Sequence, residues 1–157
     1  MRIIKTVITL SCLSLLVACG GPATDATVPA AEPAGATSVD IGEHIVHFSA
    51  QSTDNLPPEV ARAYDFVRSK NRAMLTVSVL EKGTNKAVTA EVTVKTVNLT
   101  GQLKNITMRT ITEGDAIYYI GETAVANREI LIFDITITPE GVDMSVDVRF
   151  KRQFFTN

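Results

Sequence analysis

The stretch "AVTAEVTVKTV", residues 87–97, alternates from Val88 to Lys95. Val88, Ala90, Val92 and Val94 fall on one side, and Thr89, Glu91, Thr93 and Lys95 on the other. A period of two is the period of a strand. One apolar side against one polar side is the pattern of an antiparallel sheet with a single buried face.

The same alternation extends outward from it. Upstream, "AMLTVSVL" (73–80) sets Leu75, Val77 and Val79 on one side, and "EKGTNK" turns the chain. Further back, "IGEHIVHFSA" (41–50) reads as a first strand. Between them "LPPEVARAY" (56–64) reads as one or two helical turns. Pro58 suits a first helical position, Glu59 suits the positive helix start, and Val60 and Tyr64 lie at i, i+4. Downstream, "NLTGQ" turns at Gly101, and "LKNITMRTIT" (103–112) continues with Ile106 and Met108 on one face and Arg109 on the other. "EGDA" turns into "IYYIGET". "REILIFDITI" (128–137) puts Leu131, Phe133, Ile135 and Ile137 on one face, and after "PEGVD" the chain closes with Val146, Val148, Phe150 and Phe154. About seven strands separated by turn signals predict an all-β, Ig-like antiparallel β-sandwich over residues 38–157, with one short helical turn. The Cys-Trp-Cys core of antibody domains is absent, since the chain has no Trp.

The 157 residues carry a net charge of −2, a balance that argues against a nucleic-acid partner. Arg2 and Lys5 precede an apolar run from about Val7 to Ala18, too short to cross a hydrocarbon layer of about 30 Å. It ends in Leu16-Val17-Ala18-Cys19, which resembles a bacterial lipobox. The resemblance implies a signal peptide over residues 1–18, cleavage before Cys19, and a diacylglyceryl group on the Cys19 thiol. Cys12 is then discarded, and no thiol is left for a disulfide or a redox pair. Two or more acyl chains anchor stably, so the lipid holds the protein at a membrane. Gly20 stands where an Asp commonly retains enterobacterial lipoproteins in the inner membrane, which favours the outer membrane. Removing Arg2 and Lys5 leaves 13 basic and 17 acidic residues, net −4, so anionic lipid adds little attraction. After Cys19, "GGPATDATVPAAEPAGAT" (20–37) has three prolines and one large aliphatic, Val28. That composition predicts a tether, about 23 Å long as a coil and roughly 55 Å extended.

Candidate chemistry is sparse. His44 and His47 are the only histidines, and at i, i+3 in a regular strand they point to opposite faces. A metal shared by both would need a bulge; copper would also accept Met74, Met108 or Met144, but these sit at core-like spacing. Gly-x-Ser-x-Gly, Ser-x-x-Lys, Cys-x-x-Cys and His-Glu-x-x-His are all missing, so neither an enzyme nor a resident cofactor is expected. Asp115 and Asp134 read as a turn acid and a strand acid. The segment "YDFVRSKNRA" (64–73) is more suggestive. If extended, it lines up Arg68, Lys70 and Arg72 on one edge near Tyr64, a set able to hold a carboxylate or phosphate. The simpler reading, and the one favoured, is that Arg68 and its neighbours pair with Asp65, Glu59 or backbone carbonyls and pin the loop.

Taken in order, "GEHIVHFSAQST", "LPPEVARAY", "RSKNRA", "NLTGQL" and "EGDAIYYI" resemble the bacterial domain-of-unknown-function family numbered 4426. The resemblance covers roughly residues 40–157 and implies a small exported protein of proteobacteria. It places His47, Pro57, Pro58, Tyr64, Arg68 and Ser69 at motif positions and brings no activity, substrate or cofactor. Many relatives have a plain signal peptide, so the lipobox and tether are departures. The expectation is a lipid-anchored, periplasm-facing, non-catalytic module. It would bind an envelope protein or small anionic ligand through His47, Tyr64, Arg68, Lys70 and Arg72. The alternative is a copper-handling lipoprotein using His44 and His47.

Overall fold

In the computed structural model, which describes residues 37–157, the alternating stretch becomes a strand from Ala90 onward, whose Val92 and Val94 face inward while Glu91, Thr93 and Lys95 are exposed, and Ala87 ahead of it makes only an isolated bridge to Leu80. The strands are β1 (Ser38–Ile41), β2 (His44–Ser52), β3 (Arg72–Glu81), β4 (Ala90–Asn98), β5 (Leu103–Lys104), β6 (Met108–Glu113), β7 (Ala116–Ala124), β8 (Ile130–Pro139) and β9 (Val146–Gln153). They form a five-stranded sheet, order β1-β2-β3-β7-β6, and a four-stranded sheet, order β5-β4-β8-β9. Every pairing is antiparallel. A 3-10 turn (Thr53–Asn55) and α1 (Pro58–Ala63) lie between β2 and β3. Among the described residues no helix is long and apolar enough to cross a membrane.

The two sheets meet face to face. Val46 and Phe48 of β2, Leu75, Val77 and Val79 of β3, and Leu131, Phe133, Ile135 and Ile137 of β8 are at most 2% exposed. Phe150 of β9 closes this core, edge-on to Phe48 (5.2 Å between centroids) and stacked with Phe133 (6.0 Å). The Tyr119 hydroxyl accepts a hydrogen bond from the Ala90 amide at 2.6 Å, tying one sheet to the other. Val92 and Val94 are only half-buried because the two-residue β5 is all that lies outside β4.

Three expectations need correction. Residues 41–50 are not one strand: the chain reverses at Gly42-Glu43, and Ile41 pairs with His44. Gly42 has φ +54°, and glycine at the first central position suits a tight hairpin of this kind. Gly114 (φ +58°) does the same between Glu113 and Ala116. Residues 103–112 are not one strand either. Leu103–Lys104 pair with β4, whereas Met108–Glu113 pair with β7, so the chain changes sheets across Asn105–Thr107. Among the described residues the strand count is therefore nine, two of them short.

Candidate functional site

Residues 53–67 form a strap across the outer face of the five-stranded sheet. The strap is fixed at its base by Thr53, which is fully buried. The Thr53 hydroxyl donates to the Val67 carbonyl (2.7 Å) and accepts from the Ser69 amide (2.9 Å). Proline at the first helical position starts α1, and the Tyr64 amide closes it on the Val60 carbonyl. Leu56, Ala61 and Phe66 then pack on Met74 of β3 and Ile120 of β7, with Val60, Tyr64, Ile111 and Tyr118 around them. This second core exists because β3 and β7 carry apolar residues on both faces.

A groove of about 180 Å³ remains between strap and sheet, lined by apolar residues of this second core with Tyr64, Phe66, Tyr118 and Glu113. The Tyr64 phenol titrates above its ordinary value. Burial is the larger cause, followed by the charge of Glu113 and a hydrogen bond to it. Arg109 braces the far side: it donates to the Tyr64 carbonyl at 2.6 Å and lies 4.3 Å from the centre of the Phe66 ring.

The cations of residues 68–72 do not form one cluster. Arg68 donates to the Asp54 carbonyl (2.7 Å), Lys70 to the main-chain oxygen of Asn157 (2.7 Å), and Arg72 reaches Glu122 at 3.5 Å. Lys70 instead meets Arg152 in a polar cleft of about 270 Å³ at one end of the sandwich, with Gln51, Asp54 and Asn55 in its walls. His47 is exposed on the outer face of β2, cross-strand from Ser38 and Ser78 and one strand away from the groove. The register of β2 runs unbroken from His44 to Ser52, so there is no bulge, and His44 lies on the opposite, inward face. Met74 is in the second core, Met108 packs against the main core, and Met144 is exposed. Among the described residues no three His, Cys, Asp or Glu side chains are placed to hold a metal. Asp134 is held by Arg149 at 2.5 and 3.1 Å. Cys19, Cys12, the signal peptide and the tether up to Ala36 lie outside the described residues; the carbonyl of Thr37, the last tether position, accepts from the Phe48 amide at 2.8 Å and so already joins the sheet.

Sequence reading missed Glu113, Tyr118, Phe66 and Arg152. The usable signal was the apolar outward set Met74, Ile111, Tyr118 and Ile120, which a sheet with a solvated outer face would not carry.

A two-sheet antiparallel sandwich, crossed on one outer face by a short helical strap, is the class this architecture defines. Within it, the chain belongs to the family Domain of unknown function (DUF4426), whose model matches residues 38–157. A DUF4426 family protein from Pseudomonas aeruginosa PAO1, known from a crystal structure, is 31% identical with a TM-score of 0.67. That likeness covers 76% of this chain and 94% of the other. A copper-bound variant of FetP from uropathogenic Escherichia coli strain F11 shares the fold at 14% identity and a TM-score of 0.53, over 76% of this chain and 95% of its own. Among curated proteins no match was found.

Proposed function

We propose that this chain is a lipid-anchored, non-catalytic binding module of the bacterial envelope, facing the periplasm, with the outer membrane favoured over the inner. The carrying observation is Leu16-Val17-Ala18-Cys19 behind a short basic and apolar leader. The lipid on Cys19 would set the location, and the Pro-rich residues 20–37 would let the domain reach away from the bilayer. The polar cleft supports a binding role. Lys70 and Arg152 line it together, and Arg68 fixes the Asp54 backbone behind it, an arrangement suited to a carboxylate or phosphate of an envelope protein or small solute.

Palmitate labelling and membrane fractionation test the anchor. Cys19→Ala is expected to abolish labelling and release the protein; persistent labelling would defeat the reading. Co-purification from membranes with Arg68→Ala/Lys70→Ala tests the cleft, and unchanged partner recovery removes it from consideration.

Copper handling is the second reading, and the copper-bound state of the FetP variant is what suggests it. The opposed faces of His44 and His47 do not support it. Titration with Cu(I) and Cu(II) decides: an affinity unchanged by His44→Ala/His47→Ala excludes those residues.

A further inference from the structure

The groove beneath the strap is chemically distinct from the polar cleft that holds Lys70 and Arg152. Its walls are aromatic and aliphatic, from Tyr64 and Phe66 on the strap and Met74, Ile111 and Tyr118 on the sheet. One ionisable carboxylate, Glu113, stands at its mouth, and it is exposed. Among the described residues no Lys or Arg forms an ion pair with Glu113. The basic side chain packed on this end of the strap, Arg109, is held by the Tyr64 carbonyl and the Phe66 ring and does not line the groove.

That lining discriminates between ligand charges. An anion would meet Glu113 with no cation in the walls. A neutral apolar body would bury surface but gain nothing from the Glu113 charge. A positive nitrogen on a short apolar body satisfies both parts, because aromatic rings attract cations and Glu113 adds a full opposite charge. We infer that this groove is a binding site for a small organic ammonium ion, with its carbon body against Met74 and Ile111 and its nitrogen among Tyr64, Tyr118 and Glu113. Burial first, and the charge of Glu113 after it, raise the Tyr64 titration, which places the phenol close to that carboxylate. The volume of about 180 Å³ is smaller than that of pockets for drug-sized ligands, which limits the occupant to a small solute.

The inference does not depend on the lipid anchor or on the polar cleft. The chain has no Trp and three Tyr, and Tyr64 and Tyr118 line the groove, so tyrosine emission reports on it directly. The purified protein is titrated with choline and with 3,3-dimethyl-1-butanol, which has the same shape without the charge. Saturation-transfer NMR on the ligand serves as the second readout. The expected result is saturable choline binding, roughly tenfold weaker binding of the neutral alcohol, and a roughly tenfold loss of choline affinity in Glu113→Gln. Melting of the variant checks its fold. Equal binding of the alcohol, unchanged choline affinity in a folded Glu113→Gln, or silence in both readouts overturns the inference. Phosphatidylcholine vesicles separate a lipid headgroup from a free solute: capture by vesicles without a response to free choline overturns the solute assignment. Loss of palmitate labelling in Cys19→Ala with choline affinity intact leaves this inference standing.

Discussion

At Glu129 one carboxylate joins three parts of the chain. It accepts from Asn98 on β4 (3.0 Å), from Lys104 on β5 (3.0 Å, with a second approach of 2.8 Å), and from the Ala126 amide ahead of β8 (2.7 Å). Its side chain is 11% exposed and that of Lys104 is 16% exposed. Burial raises the carboxyl titration, but the bonds from Lys104, Ala126 and Asn98 outweigh it and hold the value below 4.5. The folded value is thus lower than the unfolded one. Its stabilising contribution is present above about pH 4.5 and is lost as pH falls through the folded value. Glu129→Gln is expected to cost about 1–3 kcal/mol near neutral pH, since it weakens charge-assisted bonds in a partly buried site. It should also flatten the acid limb of stability below about pH 4.5. Denaturant melts across that range check it, and an acid limb identical to wild type would show that Glu129 is not responsible.

At the scale of elements, the long strands were legible because each buries at least one face, whereas β1, β5 and β6 have no fully buried residue. The face Leu131, Phe133, Ile135, Ile137 could belong to nothing else, and all four are at most 1% exposed. Breaks between strands were less legible. Gly42 lies inside a run that alternates on both sides, and only the pairing of Ile41 with His44 exposes the hairpin. The groove was not legible because its walls come from the strap, β3, β6 and β7, and no local period joins them. Gly121 shows how closely the elements fit. It pairs with Leu75 on one side and Met108 on the other, and its missing side chain is space that others fill. A Cβ there would lie 2.6 Å from the Met108 sulfur and 2.7 Å from Ile106 Cγ1. Ile106 sits in the crossing between sheets, so both side chains would have to move. Gly121→Ala is expected to destabilise by about 1–3 kcal/mol in equilibrium unfolding. A cost below a few tenths would mean that the crossing at Asn105–Thr107 yields freely.

Over the whole molecule, residues 37–157 contain no cysteine, so the sandwich stands on packing without a covalent staple. Two cores do this work, and they share strands. Leu75 and Tyr119 point into the main core, while their neighbours Met74 and Ile120 point into the second core under the strap. Shared strands couple the cores in one direction only. Losing the main core removes the sheet on which the strap lies, whereas losing the strap leaves the two sheets paired. Phe133 and Phe66 probe the two cases, at 0% and 8% exposure. Phe133→Ala is expected to cost about 3–5 kcal/mol and to lower a single cooperative transition. Phe66→Ala, on a thinner layer, is expected to cost roughly 1–3 kcal/mol. It should remove amide-exchange protection from Leu56–Phe66 while protection on β3 and β8 stays close to wild type. It should also weaken choline binding without affecting Cys19 lipidation, because it removes a wall of the groove. Equal loss of protection on the strap and β8 in Phe66→Ala would show one undivided core, with the strap as much a part of the scaffold as the sheets.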